Sequence, residues 1–158
     1  MSLDIINFQT PEYVCEFMAD MVPAGFDETI LESTPGAGNL KSVLRKRFAK
    51  VCTPLGDYFD LDPGIKFGYV VMNPPFSPMA MGYKILESCM LRTNNIIALM
   101  PWLTIINGQK RNKLIFDFGV KSITHLPRNV FNGSRVQCCI LEMDGSFKGD
   151  TIFKNFNG

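Results

Sequence analysis

Tyr69-Val70-Val71-Met72 runs straight into Asn73-Pro74-Pro75-Phe76. An apolar run with no polar alternation, this short and closed by prolines, reads as a strand buried on both faces, as in a parallel sheet. Neither proline has an N–H to donate, so together they end the ladder and stiffen the exit. The Asn73 side-chain oxygen and the Pro74 carbonyl can then face one spot as two acceptors, beside the flat ring of Phe76. Two fixed acceptors and a stacking face suit a planar group bearing an NH₂. The plain alternative is a stiff strand exit with Phe76 in the core.

Outward from this stretch, strands and helices alternate. Upstream, Val14, Phe17, Met18 and Met21 fall at helical spacing behind Thr10, read as the cap, and Pro11, suited to the first helical position. Thr29 to Leu31 reads as a strand entering Glu32, and a helix follows with Leu40, Val43, Leu44 and Phe48 on one face. Lys50 to Cys52 reads as another strand. Downstream come a helix from about Met79 to Leu91, burying Tyr83, Leu86, Cys89 and Met90, and a strand from Ile96 to Met100. A helix from Lys110 to Phe118, strands at Val120–Leu126 and Val136–Met143, and a short one at Thr151–Phe153 complete the pattern. This order predicts an α/β fold with a mostly parallel sheet and helices on both faces.

The chain has 158 residues, 46% of them hydrophobic and 20% charged, enough to bury one domain core. We read residues 1–158 as one domain with no separate target-recognition domain. The net charge of +1, from 16 Lys+Arg against 15 Asp+Glu, excludes a strongly basic coat. Cys15, Cys52, Cys89, Cys138 and Cys139 form no C-x-x-C pair, and His125 is the lone histidine, so no metal site is expected. Reduced thiols and the lack of a secretion signal or apolar span point to a cytoplasmic protein without a membrane segment.

In an open parallel sheet, ligands bind at the carboxyl ends of strands. Besides Asn73–Phe76, the loop Glu32-Ser33-Thr34-Pro35-Gly36-Ala37-Gly38 leaves such an end. Its Gly-x-Gly turn before a helix lets a ligand approach the backbone. Glu32 would repel a pyrophosphate and suits an ammonium group, such as the methionine part of S-adenosylmethionine. A plain helix-start loop is the competing reading.

Together these segments resemble amino-group methyltransferases of the S-adenosylmethionine-dependent, Rossmann-like class, most of all the adenine-specific DNA methyltransferases. Gln9-Thr10-Pro11 resembles the family's segment over the cofactor's methionine part, Glu32–Gly38 its glycine loop, and Asn73–Phe76 its N-P-P-F/Y motif. Gly56-Asp57-Tyr58-Phe59 is similar to the segment bordering the cofactor's adenine. Leu126–Phe131 with Val136–Glu142 is similar to the ending of type I restriction modification subunits. The resemblance implies catalytic Asn73, Pro74, Pro75 and Phe76. It implies cofactor contacts from Thr10, Glu32, Thr34, Gly36, Gly38, Asp57, Phe59 and Asn73. Accepting both hydrogens of an adenine amine would favour a nitrogen whose lone pair can attack a methyl sulfonium.

The sequence departs from the family in three places. Ser33 stands where family members carry Pro. The acidic residue expected at the end of the second strand is replaced by Thr53-Pro54, leaving Asp57 as the nearest substitute. Only 41 positions separate Glu32 from Asn73, too few for two βαβ units of ~30 residues, so the fold should be shortened after its first strand–helix unit. Lys110, Arg111, Lys113, Arg128 and Arg135 leave the strand ends and are the expected nucleic-acid contacts. Lys41, Arg45, Lys46, Arg47 and Lys50 read as a solvated face. His125 reads as a core residue, and Trp102 as either a stacking platform or a lid. The expected substrate is adenine in DNA, bound weakly unless a homodimer or a specificity subunit completes the cleft. An amine of RNA or of protein glutamine, and an inactive cofactor-binding module, are the alternatives.

Overall fold

The computed structural model describes residues 10–74, 79–131 and 136–157. In chain order, helix α1 (Glu12–Asp20) precedes strand β1 (Ile30–Glu32), helix α2 (Asn39–Arg47) and strand β2 (Val51–Cys52). A 3-10 turn at Tyr58–Asp60 leads to β3 (Tyr69–Met72), α3 (Met79–Cys89) and β4 (Asn95–Pro101). Then follow the short α4 (Leu103–Ile106), α5 (Gln109–Phe118), β5 (Val120–Leu126), a 3-10 turn at Arg128–Val130, β6 (Cys138–Asp144) and β7 (Ile152–Asn155). The strands form one sheet in the order β2-β1-β3-β4-β6-β5-β7. Neighbours are parallel except at β6, which runs against both β4 and β5.

Period-two alternation explains why the central strands carry no polar face. Val71, Ile97, Leu99 and Ile140 join one apolar layer with Val14 and Met18 of α1 and Val43 and Leu44 of α2. Val70, Met72, Ile96, Met100 and Leu141 join the other with Leu86 and Cys89 of α3 and Ile115 of α5. Helices thus cover both faces of a mostly parallel sheet, as the sequence predicts.

Several local expectations are corrected. Thr10 does not cap α1: Pro11 precedes the helix and no side chain caps it, because the Thr10 hydroxyl is engaged by Asn73. Lys50 lies just outside β2, although its carbonyl accepts from the N–H of Ile30 at 2.8 Å. Tyr83 and Met90 are half-buried rather than core. His125 is also half-buried, its Nδ1 accepting from Trp102 Nε1 at 3.0 Å. Trp102 is half-buried against the apolar layer shared with α3 and α5, its ring 5.9 Å from that of Phe153. The last strand falls at Ile152–Asn155, paired in parallel with β5 and exposed along its length.

The shortening is concrete. Between β2 and β3 the chain forms one 3-10 turn instead of a helix. Buried Arg92 secures that link: Nη1 donates to the carbonyls of Asp62 (2.7 Å) and Ile65 (3.2 Å), and Nη2 to that of Leu61 (3.2 Å). Arg92 Nε donates to the Tyr58 hydroxyl at 3.0 Å, and this hydroxyl donates to Ser88 Oγ at 2.8 Å. On the opposite face, Arg47 pairs with Glu16 and Asp20 and pins α2 to α1, so part of the basic run serves packing.

Candidate active site

Register builds the site. Glu32 pairs with Val71 across β1 and β3, so Thr34 and Asn73, each two residues further on, come opposite one another beyond the strand ends. Pairing continues there through a side chain, the Asn73 N–H donating to Thr34 Oγ1 at 2.9 Å. Thr34 also turns back on Glu32: its N–H and its hydroxyl donate to Oε1 at 2.7 and 3.2 Å. The Asn73 carboxamide donates through Nδ2 to Thr10 Oγ1, and the Thr10 carbonyl accepts from Asn39 Nδ2 at 3.0 Å. Thr10, Glu32, Thr34 and Asn73, taken from three separate stretches of chain, thus form one hydrogen-bonded constellation.

Glu32 dominates its electrostatics. The side chain is buried, and desolvation lifts its pKa from the ordinary carboxylate range to about 7 against the opposing pull of the Thr34 hydrogen bonds and nearby Lys41. Its Oε2 has no hydrogen-bond partner among the described residues. A buried carboxylate oxygen without a donor costs stability and offers a place for a cationic N–H group. Gly36 and Gly38 shape the loop above it with φ of +49° and +93°, values that L side chains adopt only with strain.

Other predicted residues stand outside this hydrogen-bonded constellation. Asp57 accepts from the Phe59 N–H at 2.8 Å and starts the 3-10 turn, and Phe59 is exposed with its ring edge-on to Tyr58. No hydrogen bond links either of them to Glu32, Thr34 or Asn73 among the described residues. Pro74 is buried, whereas Gln9, Pro75, Phe76 and Arg135 lie outside the described residues. Lys110, Arg111 and Lys113 line a groove of about 760 Å³ between α3 and α5 with Tyr83 and Glu87. There the Arg111 guanidinium lies 4.2 Å from the Tyr83 ring centre and Lys113 pairs with Asp117 at 2.5 Å. Arg128 is exposed on the second 3-10 turn. Sequence reasoning missed Arg92 and the positioning bond from Asn73 to Thr10, both of which depend on contacts distant in sequence.

Among the described residues no group of three His, Cys, Asp or Glu side chains could hold a metal ion, and no helix is long and apolar enough to cross a membrane. Neither a protein-family model nor a curated protein sequence matches the chain. Solved structures do match. A modification subunit assigned to a type I restriction enzyme of Vibrio vulnificus YJ016 superposes with a TM-score of 0.74 at 15% identity, over 94% of this chain and 46% of that one. A type I restriction-modification methyltransferase subunit from Streptococcus thermophilus gives 0.72 at 16% identity, over 94% and 47%. The 23S rRNA methyltransferase ErmE gives 0.63 at 14% identity, over 87% and 69%. The chain spans about half the length of the two type I subunits. The likeness shows the fold: a mixed α/β Rossmann-like sheet of the kind found in these methyltransferases.

Proposed function

We propose that this chain is an S-adenosylmethionine-dependent methyltransferase acting on the exocyclic amine of adenine in DNA. The observation that carries the reading is the hydrogen-bonded link from Asn73, at the exit of β3, through Thr34 to the buried carboxylate of Glu32. When bound, S-adenosylmethionine supplies a methyl group on a positively charged sulfur. Glu32 fits that ligand, because the unpartnered Oε2 is an acceptor for its ammonium group. Thr10, Thr34, Gly36 and Gly38 would line the same crevice, with Asp57 and Phe59 at its border. Asn73 has committed its Nδ2 to Thr10, which leaves the amide oxygen as the acceptor to offer. That oxygen and the Pro74 carbonyl would take the two amine hydrogens, with Pro75 stiffening the loop and Phe76 stacking on the base. Such acceptors favour a nucleophilic nitrogen and then draw the departing proton toward solvent.

Lys110, Arg111, Arg128 and Arg135 are the proposed phosphate contacts, with Lys113 secondary because of its pairing to Asp117. A partner subunit or a second copy would supply sequence recognition. Methyl transfer to unmethylated DNA, RNA and a protein extract, followed in parallel by mass, tests the proposal. Transfer to adenine in DNA is expected. Transfer to RNA alone would favour the reading that the similarity to an rRNA methyltransferase suggests. Ligand binding without transfer to any of them would make the chain a binding module, the reading favoured by Thr53-Pro54 at the end of β2.

A further inference from the structure

Resting on the methyl-transfer reading, we propose that Thr10 is a positioning residue that holds the Asn73 carboxamide by one corner, so that the other faces the target amine. A threonine hydroxyl can accept from an amide nitrogen or donate to an amide oxygen, so its part is to pin one corner of the carboxamide and leave the other free. Asn73 is held at two points, its backbone N–H on Thr34 Oγ1 and its Nδ2 on Thr10 Oγ1. Thr10 is itself a fixed post: it is buried, and its carbonyl accepts from Asn39 Nδ2 at 3.0 Å and from the Cys15 thiol at 3.8 Å. Those contacts tie it to α2 and α1. With the nitrogen spent on Thr10, the oxygen is the corner left for an N–H donor. A turned amide would present its own NH₂ to the target NH₂, donor against donor, so with a target amine bound the corner on Thr10 is the nitrogen. Thr10 thus acts on the chemistry through Asn73, not by touching the amine.

Four variants and three readouts decide this. Thr10→Val keeps the shape and removes the acceptor, and it should lower the single-turnover methylation rate on the order of 10²-fold, since misplacing a reacting partner costs about that much. The rate is read at saturating cofactor, with affinity measured separately by calorimetry so that a lost cofactor contact does not enter it, and Thr10→Ser should restore most of the rate. In an Asn73→Ala background, Thr10→Val should add no further loss, because its effect runs through the missing amide. Independently of activity, the ¹⁵N-labelled Asn73 carboxamide should be exchange-protected in the wild type and in Thr10→Ser, and unprotected in a folded Thr10→Val. An unchanged carboxamide signal in Thr10→Val would overturn the proposal, as would additive losses or a weakened cofactor affinity with the rate retained. An Asn73→Ala variant with wild-type turnover would instead overturn the methyl-transfer reading, while the carboxamide signal still reports whether Thr10 holds Asn73.

Discussion

Glu32 couples proton binding to both stability and ligand capture. Burial holds its pKa near 7, so the folded chain keeps a proton that the unfolded chain loses within the ordinary carboxylate range. Stability should therefore fall as pH rises from about 5 to about 7 and level off above that. Glu32→Gln should flatten this slope in a melting-temperature profile while abolishing cofactor binding, since an amide cannot offer a charged partner to an ammonium. Ligand capture should also release protons below pH 7, visible in calorimetry as a binding heat that depends on the buffer. Asn73→Ala should lower turnover by about 10²–10³-fold with near-normal cofactor affinity. At Gly38, an added Cβ would meet the Lys41 side chain, Cε at 3.6 Å and Nζ at 3.9 Å, both ordinary contacts. The penalty of Gly38→Val therefore lies first in the backbone φ of +93°, about 1–3 kcal/mol of stability by denaturant titration. Sequence alone indicates Glu32 and Asn73 because each ends a strand. It cannot show that Thr10 meets Asn73 63 positions away, and a threonine beside Pro11 reads more simply as a cap.

Elements whose identity rests on local pattern were legible. The apolar runs of β3, β4 and β6 mark strands buried on both faces, and the spacing of Val14 and Met18 or Val43 and Leu44 marks helices. The four-residue α4 was not legible, because Trp102 to Asn107 has neither a cap nor a full helical stripe. The β2–β3 link was only half legible: its length shows that a helix is missing, but not what replaces it. Arg92 does so, satisfying three carbonyls and a tyrosine hydroxyl from one buried guanidinium. Arg92→Met should destabilise by about 1–3 kcal/mol, the penalty for leaving such acceptors unpaired. Hydrogen exchange should show the opening confined to residues 57–67, with β3 and β4 protected. Arg92→Lys should not rescue it, because an ammonium lacks the planar fork that reaches Leu61, Asp62 and Ile65 together.

For the whole molecule, near-neutral charge limits what the isolated chain can hold. With three or four phosphate contacts, the slope of log affinity against log salt should be about −3, by filter or anisotropy titration on duplex DNA. Tight, sequence-specific binding by a monomer would contradict this. The sheet order has a different consequence, for how the chain is made. β6 lies between β4 and β5 and pairs with both, from Asn95↔Asp144 and Leu126↔Cys138 inward, yet it is synthesised after them. Until residue 144 has left the ribosome, β4 and β5 have a vacant slot where their shared neighbour belongs, two apolar strand edges facing a gap. At ~5–20 residues per second, that interval lasts about a second or more. A chain stopped after residue 131 would keep the gap permanently and should recruit strands from other chains, so the nascent protein depends on Cys138–Asp144 to seal the sheet from within.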